Sequence, residues 1–329
     1  MIRLKDIADE LGLSVPVVSR VLNPKPDKHA VIAEITRKTV LETAEKMGYR
    51  RNRAAEFLAR GGKSAAVGVF LPDVGNSLTA ELMMGISEGS QQHGFPVSFF
   101  FGFGDRCYLE FMSRISSNSG MITYPNPVNR ALLKSEIDKY LAVGGRVVFI
   151  APYNYDFVHD GLPVIGIDDD FGGALAARRL LERGCGRLIG CHAGGEFAGG
   201  PRGRGFVNAL REAGFAAETV SVEVLETGLA AYRPTPGAPP LGIFAHSDEI
   251  ALRLMRQAFR SGLKVGSEVL FVGYDDLYLT DKLPVALTTI RQPFRELGKR
   301  VFDAVVAQLY DRKVESVRLK PSLIGRESA

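Results

Sequence analysis

Residues 4–23 read LKDIADELGLSVPVVSRVLN, and the spacing of their apolar positions requires two short helices joined by a tight turn. Leu4–Leu11 is one amphipathic segment, Gly12 breaks it, and Ser14 can cap a second helix that starts with Val15–Leu22. Ile7, Ala8 and Leu11 fall on one face of the first; Val18, Val21 and Leu22 fall on one face of the second, so the two faces can bury each other. Pro16 is tolerated because the first helical turn has no intrahelical N–H bond to lose. Two helices at this spacing form a helix-turn-helix, whose second member lies in a major groove. Left outward, with Ser14 at the start, are Val15, Pro16, Ser19, Arg20 and Asn23: a guanine-type donor, small polar groups and two apolar side chains. A helical hairpin in some other kind of domain has the same periodicity.

Charge favours the nucleic-acid reading. Residues 1–63 hold 13 Lys and Arg against 8 Asp and Glu, whereas the rest holds 28 against 29, so the whole excess of +4 belongs to the N-terminal fifth. Within it Lys46, Arg50, Arg51, Arg53, Arg60 and Lys63 face only Glu56, the local excess expected of a segment that meets phosphates. The segment from Arg50 to Leu58, which includes Asn52 and Ala55, reads as a linker helix closed by Gly61 and Gly62.

Beyond that boundary strands and helices alternate. Strands are expected at 66–71, 96–101, 120–124 and 146–150, with helices at 78–93, about 107–117 and 130–143. A second series comes after it: strands at 163–167, 187–192, near 220–225, 241–244 and 269–273, with helices at 172–183, 203–213 and 248–261. Each series implies a doubly wound parallel sheet, and two in sequence make an α/β clamshell whose ligand sits at the carboxyl ends of the strands. The expected layout is a headpiece at 1–49, a linker at 50–63 and a two-lobed body at 64–329. Its N-lobe comprises about 64–162 and 292–319, and its C-lobe about 163–291 and 320–329.

The 329-residue chain is 46% hydrophobic and 24% charged, an ordinary globular composition with room for two or three cores. No apolar run approaches the ~20 residues of a membrane helix, and the sequence begins without a secretory signal, so a cytoplasmic, nucleoid-associated protein is expected. Cys107, Cys185 and Cys191 are odd in number and lack C-x-x-C spacing, which reads as reduced thiols.

An enzymatic reading rests on Asp168, Asp169 and Asp170, a carboxylate run after a strand that can hold a divalent metal in a sugar-modifying site. Its structural counterpart is a strand end that starts a helix. No H-E-x-x-H, Walker lysine or G-x-S-x-G motif occurs, and His192 and His246 assemble no base–nucleophile pair from sequence, so neither metal nor cofactor is expected. Binding chemistry is better represented: Asp73, Tyr153, Asp168, Phe244, Ser247, Asp248 and Asp275 all fall where strands end. Arg202 opens a helix after a glycine-rich loop, combining a forked cation with a helix N-terminus suited to hydroxyls, carboxylates or phosphates. Each also has a structural reading: Asp275 as a loop cap, Phe244 as core, Arg202 as a partner of Asp168.

The opening stretch, TRKTVLETAEKMGYRRN at 36–52 and the Ala-rich run ending at Leu58 resemble the headpiece of the lactose-repressor (LacI/GalR) family of bacterial transcription regulators. The resemblance runs on in register through VGVFLPDVGNSLTAEL, PVIGIDDDFGGALAARRLLERG, Arg202 before Gly205-Phe206, FAHSDEIAL, LFVGYDD, LTTIRQPFRELG and PSLIGRES. It implies a helix-turn-helix headpiece on a two-lobed body like class I periplasmic sugar-binding proteins, with three crossings between lobes, the later two near Ile290–Pro293 and Leu319–Pro321. It also implies a homodimer that reads the half-sites of a near-palindromic operator, and a carbohydrate-like effector contacted by Arg202 and Asp275. Arg20 is the expected guanine contact, Val15 and Pro16 meet thymine methyls, Ser19 and Asn23 support them, and Leu58 wedges into the minor groove.

Departures restrict the resemblance. Leu78 and Thr79 stand where family members carry aromatics, Ser247 where asparagine is usual, Arg51 where proline precedes the linker helix, and Glu56 where a basic residue is common. The sequence closes on PSLIGRESA without a heptad extension, which leads to the expectation of a dimer and no coiled-coil tetramer. Two other readings use the same features: a binding module without specific DNA function, and the metal-dependent sugar-modifying enzyme.

Overall fold

Apolar residues three and four apart seal the N-terminal unit. In the computed structural model, which describes residues 2–22, 32–49, 66–72, 77–124, 129–151, 161–194 and 200–329, helices α1 (Leu4–Leu11), α2 (Val15–Leu22) and α3 (Glu34–Lys46) enclose one small core. Ile7 and Ala8 of α1, Val18 and Val21 of α2, and Val40 and Ala44 of α3 are buried there, ringed by Leu4, Leu11, Leu13, Leu22, Met47 and Tyr49. Each buried Ile or Val contributes about 1.5–3 kcal/mol, so four such residues and two alanines hold a unit this size only with help from its helix ends. Gly12 supplies one: at φ +61° it takes the left-handed conformation that closes α1, and Leu13 N–H donates back to the Ala8 carbonyl at 2.9 Å. At the other end the Asp6 carboxylate accepts from the Arg3 backbone N–H at 2.8 Å.

The chain divides into two compact units, Met1–Gly62 and Lys63–Ala329. The larger contains two six-stranded sheets. The first runs β11–β5–β4–β3–β1–β2, built from β1 (Val67–Leu71), β2 (Val97–Phe101), β3 (Gly120–Thr123), β4 (Arg146–Ala151), β5 (Val164–Ile167) and β11 (Val317–Leu319), every pairing parallel. The second runs β12–β10–β9–β8–β6–β7, built from β6 (Arg187–His192), β7 (Glu218–Ser221), β8 (Leu241–Ala245), β9 (Val269–Tyr274), β10 (Thr288–Arg291) and β12 (Ser322–Ile324); only the β10–β12 edge is antiparallel. The helices are α4 (Ser77–His93), α5 (Gly104–Arg114), α6 (Arg130–Ala142), α7 (Asp169–Glu182), α8 (Pro201–Glu212), α9 (Val222–Ala231), α10 (Asp248–Arg260) and α11 (Phe294–Leu309). Among the described residues no helix is long and apolar enough to cross a membrane.

Alternation along each strand distributes the second sheet between two cores. Ile189, Cys191, Ile243, Ala245 and Phe271 pack with Val222, Leu225 and Leu229 of α9 and Ala251, Leu254 and Ala258 of α10. Leu188, Phe244, Leu270, Val272 and Tyr274 point the other way, onto Ala176, Ala177 and Leu180 of α7 and Phe206 and Leu210 of α8. Helices α7 and α8 approach at glycines: a methyl group on Gly173 would lie 2.0 Å from the Arg202 carbonyl oxygen, and one on Gly205 1.9 Å from that of Asp170. That contact fixes the first turn of α8, and Arg202 with it.

Two sequence expectations need correction. The strand at 163–167 is expected in the second lobe, but β5 pairs with β4 and β11, so the chain passes between sheets after Ile167. A continuous apolar strand carries no mark of which sheet completes it. The strand expected near 220–225 ends at Ser221, whose Oγ accepts from Val224 N–H at 3.5 Å to start α9. Alternating valines imitate a strand there, while Val222, Leu225 and Leu229 bury at helical spacing. The later passages between sheets come after Arg291 and after Leu319.

Candidate functional site

Two surfaces carry candidate chemistry, one on each unit. On the headpiece, sealing Val18 and Val21 turns the opposite face of α2 outward. Val15 is 38% exposed, Ser14, Pro16 and Arg20 are exposed, and Ser19 is half-buried. The Ser14 carbonyl accepts from Val17 and Val18 N–H, at 2.9 and 3.2 Å, which starts the helix. Arg20 has no ion pair or hydrogen bond among the described residues, so its guanidinium is available to an outside acceptor. Asn23 and the linker positions Arg51, Asn52, Ala55 and Leu58 lie outside the described residues.

The second surface lies at the carboxyl ends of β6, β8 and β9, where α8 and α10 begin. Arg202, in the first turn of α8, is buried, and its Nη1 donates to the His246 carbonyl at 2.7 Å. Its Nε lies 3.3 Å from Asp169 Oδ1 and its Nη1 3.5 Å from Asp275 Oδ1, with the Tyr274 ring 3.9 Å beneath its Cζ. The Tyr274 hydroxyl donates to Asp169 Oδ1 at 2.7 Å, and Gln292 Nε2 donates to Asp275 Oδ1 at 2.6 Å. One arginine is thus held by two carboxylates, a carbonyl and an aromatic face, and its orientation is fixed before any ligand arrives.

Burial sets the electrostatics. It pushes the Asp275 carboxyl up to about 6, against Arg202 and Gln292, which favour the charged form. Asp169 is raised for the same reason, with Arg202 and Tyr274 opposing. Asp275 has φ +119°, a backbone conformation that L residues rarely adopt, and its N–H donates to the Ile290 carbonyl at 2.8 Å. Beside these groups lies a cavity of about 200 Å³ lined by Ala193, Gly200, Arg202, His246, Ser247 and Asp275, among others. A guanidinium edge, a carboxylate and a serine around such a space suit a small polyhydroxylated molecule.

Residues 177–329 match the periplasmic binding protein-like domain family. Over 335 residues the chain is 29% identical to the HTH-type transcriptional repressor CytR of Escherichia coli (strain K12), covering 95% of this chain and 91% of that protein. It is 25% identical to the ribose operon repressor of Bacillus subtilis (strain 168), covering 100% of this chain and 98% of that protein. These matches make the chain similar, over nearly its whole length, to repressors of the lactose-repressor (LacI/GalR) type. Among solved structures, the lac repressor dimer bound to operator and the anti-inducer ONPF has the same fold, with a TM-score of 0.69 at 23% identity over 99% of this chain and 98% of that one.

Within this two-lobed body the structure sorts the expected site residues. Arg202, Ser247 and Asp275 come together at the cavity. Phe244 does not: it is fully buried between Phe206 and Tyr274, 5.1 and 6.3 Å away, because its place on β8 points it onto α7 and α8, so it offers no stacking surface to a ligand. Asp248 is also fully buried. It accepts from Thr289 Oγ1 at 2.6 Å and Leu277 N–H at 2.8 Å, tying α10 to the loop after β9, and burial pushes it up to about 7. Its position after a strand misled; its carboxylate serves the fold.

Asp168 caps α7 through Phe171 N–H at 3.0 Å, Asp169 holds Arg202, and Asp170 pairs with Arg204 at 2.6 Å, so the three aspartates take three separate partners. Thr79, in the first turn of α4, is half-buried; Asp73 and Tyr153 lie outside the described residues. Gln292 and Tyr274 are site residues that sequence reasoning missed. Both lie inside stretches that carry the resemblance, LFVGYDD and LTTIRQPFRELG, but nothing there singles them out, and only the return of β10 beside β9 brings Gln292 to Asp275.

Proposed function

We propose that this chain is a transcriptional repressor whose hold on operator DNA is set by a small polyhydroxylated effector bound at Arg202, Ser247 and Asp275. The observation that carries the DNA half is the outer face of α2. Val15, Pro16 and Arg20 stand in solvent on a helix whose inner face is sealed, as a major-groove reading helix requires. Arg20 reads a guanine edge, Val15 and Pro16 touch thymine methyls, and Ser14, Ser19 and Asn23 contact phosphate or base. Arg51, Asn52 and Ala55 lie along the adjoining groove, and Leu58 enters a base step there at a cost of a few kcal/mol, offset by the contacts that bent DNA allows. The protein acts as a homodimer in the bacterial cytoplasm, associated with the nucleoid, and two headpieces meet two half-sites.

The effector half rests on a pre-oriented arginine facing a carboxylate at a strand-end cavity. Relatives named as ribose operon repressors support a carbohydrate effector. A ligand shifts operator affinity only so far as it prefers one lobe arrangement, and Gln292, between β10 and α11, joins Asp275 to a passage between the lobes. The test is a salt titration of binding to a palindromic duplex selected by the protein from random sequence, with and without a panel of sugars. A steep negative slope and a sugar-dependent change in affinity are expected. Binding insensitive to salt, or to every sugar, would refute the proposal.

A further inference from the structure

His246 and His192 end neighbouring strands β8 and β6, with ring centroids 5.9 Å apart, and both are more than nine-tenths buried. His192 Nδ1 accepts from Gly194 N–H at 3.0 Å. His246 Nε2 is buried without a hydrogen-bond partner, although the ring lines the cavity beside Arg202. A buried polar atom left unsatisfied costs about 1–3 kcal/mol, and a protein carries that cost where a ligand supplies the partner. The ring lies against the first turn of α8: a methyl group on Gly203 would sit 2.8 Å from its Cε1 and 3.2 Å from its Nε2.

Among the described residues no side chain caps that turn. The residue before α8 is Gly200, which has no side chain to cap the helix, and Pro201 comes next. Gly200, Pro201 and Arg202 line the same cavity, which places the positive end of the helix dipole at it. The basicity of His246 is held down to about 3 by burial first, then by Arg202 and His192. Arg202 from α8 and His192 from β6 act on His246 directly, and Asp275, which Glu249 on α10 in turn faces, lines the same cavity. Asp248 is turned away onto Thr289. Asp275 already receives Gln292 and Arg202, so the cavity has an acceptor end at Asp275 and a donor end at α8 and the histidines.

We infer that the effector is an anionic polyol, a sugar phosphate or sugar acid, whose hydroxyls meet Asp275 and whose anionic group is received by His246, His192 and the first turn of α8. This rests on the effector reading above and names the ligand class. Arg202 beside the imidazoles disfavours a metal cation in their place.

The chain has five histidines, so their Cε1–H resonances can be followed individually in the full-length protein. Titration with inorganic phosphate, and separately with ribonate, should move the His192 and His246 resonances together and saturably in the millimolar range, leaving that of His93 in place. The phosphate and carboxylate arms show which anion is preferred. His246→Phe keeps the ring against Gly203 and removes the orphan nitrogen, so it should melt at or above the wild-type temperature. Anion affinity should nevertheless fall at least about 10-fold, the effect of losing a charge-assisted hydrogen bond. Arg20→Ala, which alters only the headpiece, should leave the anion response unchanged. Resonances unmoved by either anion, or an anion response intact in His246→Phe, would overturn the inference. Operator binding controlled by neutral sugars alone would remove it while the regulator reading stood; anion binding by a protein that ignores DNA would do the opposite.

Discussion

Arg202→Met tests the electrostatic frame of the cleft. The substitution keeps an apolar stem over Tyr274 but leaves Asp169, whose side chain is 2% exposed, with only the Tyr274 hydroxyl on Oδ1 and no partner on Oδ2. Stranding one member of a buried ion pair costs about 3–5 kcal/mol. A unit of this size loses about 2–4 °C of melting temperature per kcal/mol, so the variant should melt roughly 6–20 °C lower at about pH 8. The deficit should shrink on acidification. Asp169 titrates above its usual range through burial, and Arg202 is the main force opposing that shift. Without Arg202 the folded-state value rises further while the unfolded value stays near 3.9. The penalty is therefore complete above the folded-state value and shrinks as pH falls from it toward the unfolded value, leaving at about pH 4 mainly the lost hydrogen bonds, about 1–2 kcal/mol. Differential scanning calorimetry at both pH values measures this, and Asp169→Asn added to Arg202→Met should recover much of the loss at pH 8. A deficit equal at the two pH values, or below about 1 °C at pH 8, would refute the buried-pair account.

Arg20→Ala should weaken binding to the selected duplex by roughly 1–3 kcal/mol and hardly change binding to random DNA; equal losses in a mobility-shift assay would mean that Arg20 only grips phosphate. Asp275 titrates at about 6 folded against ~3.9 unfolded, so between those values the folded chain holds a proton that the unfolded chain has released. Stability should fall as pH rises through that window, by up to about 3 kcal/mol, and urea midpoints for Asp275→Asn should lack this part of the slope. Gly12→Ala meets no atom within 4 Å but must hold φ +61°, so it should cost about 1–2 kcal/mol, confined to the headpiece; loss of stability in the two-lobed body would contradict the division into units.

The headpiece was legible in the sequence because its information is local. Ile7, Ala8, Val18 and Val21 declare their face by spacing alone, and Gly12 declares the turn by its lack of a side chain. The alternating strands and helices of the body were readable for the same reason. Sheet membership was not: β5 joins the first sheet because β4 and β11 flank it, and parallel strands buried on both faces look alike wherever they pair.

The site divides along the same line. Arg202 and Asp275 were legible because a helix start and a strand end place them at a sheet's carboxyl edge, where ligands bind. The sense in which each neighbour faces was decided only by packing. Phe244 and Asp248 stand close to Ser247 in sequence, yet strand alternation turns Phe244 into the α7–α8 core, and Thr289 and Leu277 claim Asp248. Gln292 meets Asp275, and His192 meets the His246 ring that lines the cavity, through strands that are neighbours in space and distant in sequence. Residue types and their periods determined which elements form; the pairing of those elements determined which side chains share one low-dielectric space, and therefore their charges and what they can hold.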